Sequence, residues 1–465
     1  MAAEDEKDRR IAELERELAE RDRRIEKLER KVDRLERLVE DLQRSAKRQA
    51  APFSRGEPKA NPKRRGRKKG KRYGKRGVRT VPTQIDRTVH VPAPLFCPDC
   101  EKPAKLIGRD LQWQTDLPIA HAVTTEFQID ISQCTRCGRT LRAAHPEQIS
   151  EATGAARVQI GPRAIAFAAK LNKECGVSWG RIADIFEKGF GLITDRSTLN
   201  RAAQRLANVL EPLYKRIGER VRTEAMLSPD ETGWRIGGNK AWLHVAATRG
   251  DSFYMIARGR GRAEAEKLIG KDYGGTIVRD GHIGYRGEGV FPNAKSQTCL
   301  SHITRRIDGL LALPCEPPVE RWLTRLRIVL ARSLRLRDKR DQARIGGRAL
   351  VQGMLEVETA VSRLLRRCPD EAKCQRLTKH LIRERKALFT FLNQDAVPAT
   401  NYLAEQALRP AVVNRKMSAG NNTPRGARTQ QILMTVFHSA RKRNADALLI
   451  ATQALRDPSS VTTLL

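Results

Sequence analysis

The sequence has no run of about eighteen or more apolar residues, so it offers no candidate for a bilayer-spanning helix. Its first ten residues, MAAEDEKDRR, lack the apolar stretch of a secretory signal, and the chain reads as cytosolic. Acidic residues are scarce beside basic ones, 54 against 89, which leaves a formal charge of +35. A surface with that excess attracts polyanions, and nucleic acid is the leading candidate. The cysteines number nine, an odd count without an export signal, which argues against a disulfide framework and for thiols and metal ligands. What remains is substantial. At 465 residues and 40% apolar content the chain can build about two to four domains with cores of their own.

Residues 1–46 carry a heptad pattern. Ile11, Leu18, Ile25, Val32 and Val39 fall at a, and Leu14, Arg21, Leu28, Leu35 and Leu42 at d. Only Arg21 breaks the seam, and mostly β-branched a positions with leucine at d favour two parallel strands, hence a homodimer or a docking helix for a partner coil. A basic linker, 47–82, follows. Its 55–82 stretch holds one acid, Glu57, against thirteen lysines and arginines, among them Lys63, Arg64, Arg65, Arg67, Lys68 and Lys69. With almost nothing to bury, it cannot fold alone. It suits sequence-independent phosphate binding; a nuclear-localisation signal has the same composition.

Residues 83–150 contain two C-x-x-C knuckles, Cys97/Cys100 and Cys134/Cys137, separated by 33 residues. Four thiolates at that spacing suit one tetrahedral, structural Zn²⁺ with no open position, and TTEFQIDISQC reads as a strand entering the second knuckle of a zinc ribbon. A redox dithiol pair is the competing reading, but such motifs are normally single and sit within a βαβ pattern. Residues 151–222 read as helical, with a glycine-containing turn before a helix capped by Asp195 or Ser197. That is helix-turn-helix grammar. Arg196, Asn200 and Arg201 lie near the start of the second helix, the end that enters a major groove; an ordinary helical hairpin gives the same pattern.

The chemistry points to the segment after residue 222. MLSPDETGWRI, AWLHVAAT and SFYMIARG read as strands, RAEAEKLIG as a short helix, and GTIVRDGHIGY as a strand ending at Asp280. The order β, β, β, α, β is that of a ribonuclease-H-like sheet, with Asp230 on the first strand beside Asp280 at the end of the fourth. A third carboxylate is expected from a later helix, and NYLAEQALRP supplies Glu405. The 125 residues from Asp280 to Glu405 are too many for one loop, so the Arg- and Leu-rich stretch between them is read as a helical insertion. Three converging carboxylates in a basic protein suit two Mg²⁺ or Mn²⁺ ions and an in-line phosphodiester displacement. Any one of these acids taken alone would be read as a surface residue.

PDETGWR, RDGHIGY, CLSHITRRI and NYLAEQALRPAVVNRK resemble, in order, the motif blocks of insertion-sequence-66 family transposases: DET-x-W, D-x-x-x-x-Y, C-x-x-H-x-x-R, and N-x-x-A-E-x-A-L-R-P followed by R-K. The resemblance implies a DDE transposase in which Asp230 bridges two ions while Asp280 and Glu405 each hold one. It places His302 and Arg305 near the scissile phosphate, with a packed structural role as the alternative for His302. It matches Cys299 to the family's C-x-x-H, where a second zinc site would lack obvious partners, and it makes Arg409, Arg415 and Lys416 phosphate contacts. The chain departs from the family in MSAGNNTPRGARTQ after Lys416, and at His282 and Ile283.

The expected architecture is therefore multidomain, α/β plus α. It comprises a coiled coil (1–46), a basic linker (47–82), a zinc-binding domain (83–150), a helix-turn-helix-like domain (151–222), a ribonuclease-H-like core (223–305), a helical insertion (306–395), the glutamate helix (396–425) and a C-terminal helical region (426–465). The expected function is binding of terminal inverted repeats in double-stranded DNA, followed by cleavage and strand transfer. Small accessory proteins of the same element are possible partners, no membrane is involved, and the place of action is the bacterial cytoplasm at the nucleoid. A zinc-dependent DNA-binding regulator with an inactive ribonuclease-H-like domain and a structure-selective nuclease are the alternatives.

Overall fold

The computed structural model describes residues 80–152 and 154–465, together with Arg21, Leu28 and Leu35, which are helical and exposed. The rest of the expected coiled coil, and the basic linker up to residue 79 with Lys63, Arg64, Arg65, Arg67, Lys68 and Lys69, lie outside the described residues. The chain divides into two units, Met1–Pro118 and Ile119–Leu465.

In the first unit the described chain is mostly irregular, with one knuckle. Cys97 N donates to Lys102 O and Glu101 N to Cys97 O, both at 2.9 Å, and Glu101 takes a left-handed φ of 57°. The second unit opens with the hairpin β1 (Ile131–Gln133) and β2 (Thr140–Arg142). Its turn repeats the same pattern: Cys134 N to Arg139 O and Gly138 N to Cys134 O at 2.9 Å, with Gly138 at φ 70°. The strand entering this knuckle is shorter than TTEFQIDISQC suggests. Only its last residues pair, since β2 is three residues long and gives the earlier part no partner.

Four helices follow: α1 (Pro162–Lys173), α2 (Trp179–Phe190), α3 (Arg196–Val209) and α4 (Glu211–Thr223). Gly191, at φ 67°, ends α2 in the left-handed conformation that glycine adopts without Cβ strain. Asp195 then caps α3, accepting from Ser197 N and Thr198 N at 2.7 and 3.0 Å.

The central sheet comprises β3 (Met226–Ile236), β4 (Asn239–Ala247), β5 (Ser252–Ala257), β6 (Thr276–Arg279) and β7 (Lys295–Thr298) in the order β5-β4-β3-β6-β7. β3, β4 and β5 are antiparallel; β6 and β7 run parallel to β3 after the crossover helix α5 (Arg262–Ile269). The β, β, β, α, β order read from the sequence is present.

Period-2 alternation sends successive side chains to opposite faces. Met226, Trp234, Leu243, Val245, Tyr254 and Val278 face one core, built with α6 (Leu300–Leu311), α7 (Pro317–Asp341), α8 (Gly347–Arg366), α9 (Ala372–Arg383) and α10 (Tyr402–Ser418). Leu227, Ala246, Phe253 and Ile277 face the other, built with α1, α3, α4, α5, α11 (Pro424–Lys442) and α12 (Ala447–Arg456). The helices before the sheet and those of the insertion thus share the sheet's two cores. Pro410 does not end α10, which continues to Ser418 and stops where Ala419 turns left-handed at φ 56°.

Among the described residues the outer edge of β5 has no strand neighbour, and α11 closes it. Gln431, Thr435 and Ser439, one helical turn apart, accept from the backbone N–H groups of Ile256, Tyr254 and Ser252 at 2.9, 3.0 and 3.1 Å. The three side chains satisfy donors that would otherwise be buried or open to edge-to-edge pairing. Thr435→Val keeps the shape and removes the middle acceptor, so a buried N–H loses its partner. Urea unfolding is expected to show a loss of about 1–3 kcal/mol with an unchanged m-value.

Candidate active site

The β3–β6 ladder pairs Met226 with Thr276 and Leu227 with Ile277, and the same register carried forward brings Asp230 level with Asp280. Both share parity with Met226 and Val278, so they project to the face covered by α6 and α10. Asp230 Oδ1 accepts from Glu231 N at 2.8 Å, and Asp280 Oδ1 accepts from His282 N at 2.9 Å. Neither carboxylate has a cationic partner among the described residues.

Glu405 stands in the first turn of α10, where the helix dipole favours a negative charge. It reaches the aspartates because two other residues pin the start of the helix. Asn401 Nδ2 donates to Pro229 O at 3.0 Å, immediately before Asp230, and Asn401 N donates to Cys299 Sγ at 3.3 Å. Leu300 N donates to Ala399 O at 2.9 Å, tying the root of α6 to the same point. Cys299 is fully buried, with its sulfur spent on this joint, and burial raises the pKa of its thiol. One turn into α10, Ala407 O accepts from the Tyr254 hydroxyl at 2.7 Å, and that hydroxyl lies 2.6 Å from His438 Nδ1. Burial drives the His438 pKa down to about 3, so the imidazole of this structural contact is neutral.

The charges of neighbouring acids act on Asp230. Burial pushes the Asp230 pKa up to about 8, and the negative charges of Asp280, Glu231 and Glu405 add to it in that order. On α6, Arg305 Nη2 donates to Glu405 Oε1 at 2.9 Å, and His302 Nε2 lies 4.0 Å from the same oxygen. His302 Nδ1 is buried without a hydrogen-bond partner among the described residues. Asp230 and Asp280 thus stand level on adjacent strands, Arg305 and His302 of α6 flank Glu405 of α10, and the Glu405 charge acts on Asp230.

Glu231 does not join them. It projects to the opposite face, nearly fully buried, where it pairs with Arg260 at 2.5 Å, and that guanidinium stacks 4.7 Å over Trp242. Arg415, expected to contact phosphate, is half-buried and spends Nη1 on Thr232 Oγ1 and Gly233 O at 2.9 and 2.6 Å. It braces α10 against β3. Arg409 and Lys416 are exposed, as are Arg196 and Arg201, while Asn200 is half-buried on α3.

The segment that departs from the family pattern docks on β3. Asn421 N donates to Arg235 O at 3.0 Å, Gly237 N to Asn421 O at 2.9 Å, and buried Trp234 Nε1 to Asn421 Oδ1 at 2.8 Å. Gly420, at φ 118°, permits this approach: a Cβ there would lie 2.4 Å from Arg235 O. Sequence reading passed over Asn401 and Asn421. A polar residue just before a helix was a signal for Asn401, although its side chain reaches β3 instead of capping α10.

Carboxylate oxygens on a half-buried pair without a cationic partner among the described residues fit a hard divalent cation. Among the described residues no group of three or more His, Cys, Asp or Glu side chains stands ready to hold a metal ion, and Glu405 is engaged by Arg305. Each cysteine knuckle presents a backbone that suits thiolate. The pKa of Cys97 is lowered by the amides of Asp99 and Cys100, and that of Cys134 by those of Cys137 and Arg136.

Comparison with known proteins agrees with this fold and set of motifs. The model of the Transposase IS66 family matches residues 157–429, more than half of the sequence, and the chain belongs to that family. It is also 22% identical over 289 residues to "Uncharacterized protein y4jD" of Sinorhizobium fredii (strain NBRC 101917 / NGR234), covering 57% of this chain and 56% of that one. The chain thus spans little more than half the length of this curated relative. Among the described residues no helix is long and apolar enough to cross a membrane.

Proposed function

We propose that the protein is a DDE-type DNA transposase with a ribonuclease-H-like core, which binds the terminal inverted repeats of its element, cleaves there, and joins the freed ends to target DNA. The observation that supports this reading is the register that sets Asp230 of β3 level with Asp280 at the end of β6, with the charge of Glu405 from the first turn of α10 acting on Asp230. These three carboxylates would hold two Mg²⁺ or Mn²⁺ ions. When bound, such ions neutralise phosphate charge and lower the pKa of an attacking oxygen.

The chain's own residues supply position. Asn401, Cys299 and Tyr254 fix the glutamate helix, and Arg305 changes partner from Glu405 to a phosphate oxygen when the glutamate takes up its ligand role. Hydrolysis would free a 3′-hydroxyl, which then attacks a target phosphodiester, so no covalent protein intermediate is needed. One structural Zn²⁺ would be held by Cys97, Cys100, Cys134 and Cys137. The exposed start of α3, with Arg196 and Arg201, would read the repeats, the N-terminal heptads would pair two chains, and small proteins of the same element would assist. The site of action would be the bacterial cytoplasm, at the nucleoid.

The test uses DNA carrying the element's ends, with Mg²⁺ or Mn²⁺, and the variants Asp230→Ala, Asp280→Ala and Glu405→Ala. Wild type is expected to cut and join, and each variant to bind the ends while losing both steps by on the order of a thousandfold. Cleavage without joined product would make the protein a nuclease. Binding without cleavage, even with accessory proteins added, would favour a DNA-binding regulator.

A further inference from the structure

The 25-residue helix α7 buries Val319, Trp322, Leu323, Leu326, Leu330 and Ser333, packing on α6 and α8. On the opposite side, Arg321, Arg325, Ile328, Arg332, Arg335 and Lys339 follow one another at steps of four and three residues, the spacing of a single helical stripe. All six are exposed. Arg332 is paired with Glu356 of α8. Among the described residues the other four cations have no partner, and the acid nearest the stripe's end, Asp338, is taken by Arg337 at 2.6 Å. Like charges one turn apart repel each other and weaken a helix. A row of them kept exposed, with one counter-charge for five cations, is a surface shaped for an external polyanion.

We infer that this stripe is a track for the sugar–phosphate backbone of duplex DNA, separate from the acid site and from the start of α3. The inference rests on the transposase reading above. From Arg321 to Lys339 the helix rises about 27 Å, which spans roughly eight base-pair steps at 3.4 Å each. The stripe carries no aromatic side chain on which an unpaired base could stack, and arginine and lysine heads meet phosphates without reading base edges. It therefore supplies affinity and orientation without sequence preference. The track lies on the insertion, and α7 is tied to α6, the helix that bears Arg305, by the Arg327–Asp308 ion pair at 3.3 Å. DNA held along α7 is thus held by the element that packs on the helix beside Glu405.

The experiment compares the full chain with a variant combining Arg321→Gln, Arg325→Gln, Arg335→Gln and Lys339→Gln. Fluorescein-labelled duplexes, one carrying the element's ends and one scrambled, are titrated across a range of KCl. The variant is expected to bind both duplexes at least about tenfold more weakly, and the slope of log affinity against log salt is expected to shrink by about 3 to 4. As a second measurement, a photo-crosslinking amino acid at Ile328, inside the stripe, is expected to capture duplex DNA in the otherwise unaltered chain. Unchanged affinity and slope in a folded variant, or no DNA crosslink at 328 while the duplex is bound, would overturn the track and leave the transposase reading intact. Failure of the unaltered chain to bind either duplex would overturn both.

Discussion

Asp230→Asn is expected to make the metal-free protein more stable while abolishing its chemistry. An aspartate whose folded pKa is raised from 3.8 to about 8 by burial and by neighbouring acids costs stability wherever the unfolded chain would ionise it. The sign follows from proton uptake. Between the unfolded and folded values the native state holds a proton that the unfolded state has lost, so stability declines as pH rises from about 4 to about 8. The amide cannot ionise, and its advantage over wild type should be near zero at pH 4 and reach on the order of 2–4 kcal/mol at pH 8, read from urea melts in chelator. Added Mn²⁺ should raise the melting temperature of wild type and leave Asp230→Asn nearly unmoved. A variant less stable than wild type across this range would mean that Asp230 is an ordinary structural hydrogen-bonding residue.

The second large effect is expected at the turn between β4 and β5. Asp251 is fully buried and takes paired hydrogen bonds from Arg220 at 3.2 and 3.0 Å and from Arg443 at 3.0 and 2.6 Å, joining α4, the sheet and the end of α11. Burial alone would raise its pKa; the bonds from Arg443 and Arg220 outweigh that and hold it below the usual value. Asp251→Ala leaves two guanidinium groups facing each other. Because both remain a quarter to a third exposed, the loss is expected at about 2–4 kcal/mol, at the lower end for a broken buried pair. The pH dependence runs opposite to that of Asp230: a depressed carboxylate stabilises above its unfolded pKa, and the contribution is lost as pH falls through the folded value. Wild type should therefore lose stability on acidification below about pH 4, and Asp251→Ala should show less of that loss in the same melts.

The order of the central strands was legible because each is a short run rich in apolar and β-branched residues and each break carries glycine or a charged turn. The α3 cap was legible to within two residues, since Asp195 and Ser197 were both candidates and Asp195 is the one that caps the helix. Other features had no local signal. Gln431, Thr435 and Ser439 read as the polar side of a surface helix, yet that side faces the bare edge of β5, and nothing within α11 announces an edge strand lying far earlier in the chain. The family resemblance makes Arg415 a phosphate contact, and its use as a brace depends on where β3 passes. Asp230 and Glu231 are adjacent and chemically alike. Only the pleat, fixed by which neighbours are apolar, decides that one reaches the acid cluster and the other a salt bridge on the far face. The joint of Cys299 with Asn401 links two motifs about a hundred residues apart, so neither could disclose it alone.

The proposed chemistry needs three carboxylates acting as one metal-binding set. Its most direct test is Mn²⁺ binding to the full chain, followed by electron paramagnetic resonance with the zinc site loaded, for wild type and for Asp230→Ala, Asp280→Ala and Glu405→Ala. Wild type is expected to take up Mn²⁺, and each variant to lose at least one bound ion or bind it at least about tenfold more weakly. Equal uptake by wild type and all three variants would contradict the account, because the acids would then share a place without sharing a metal.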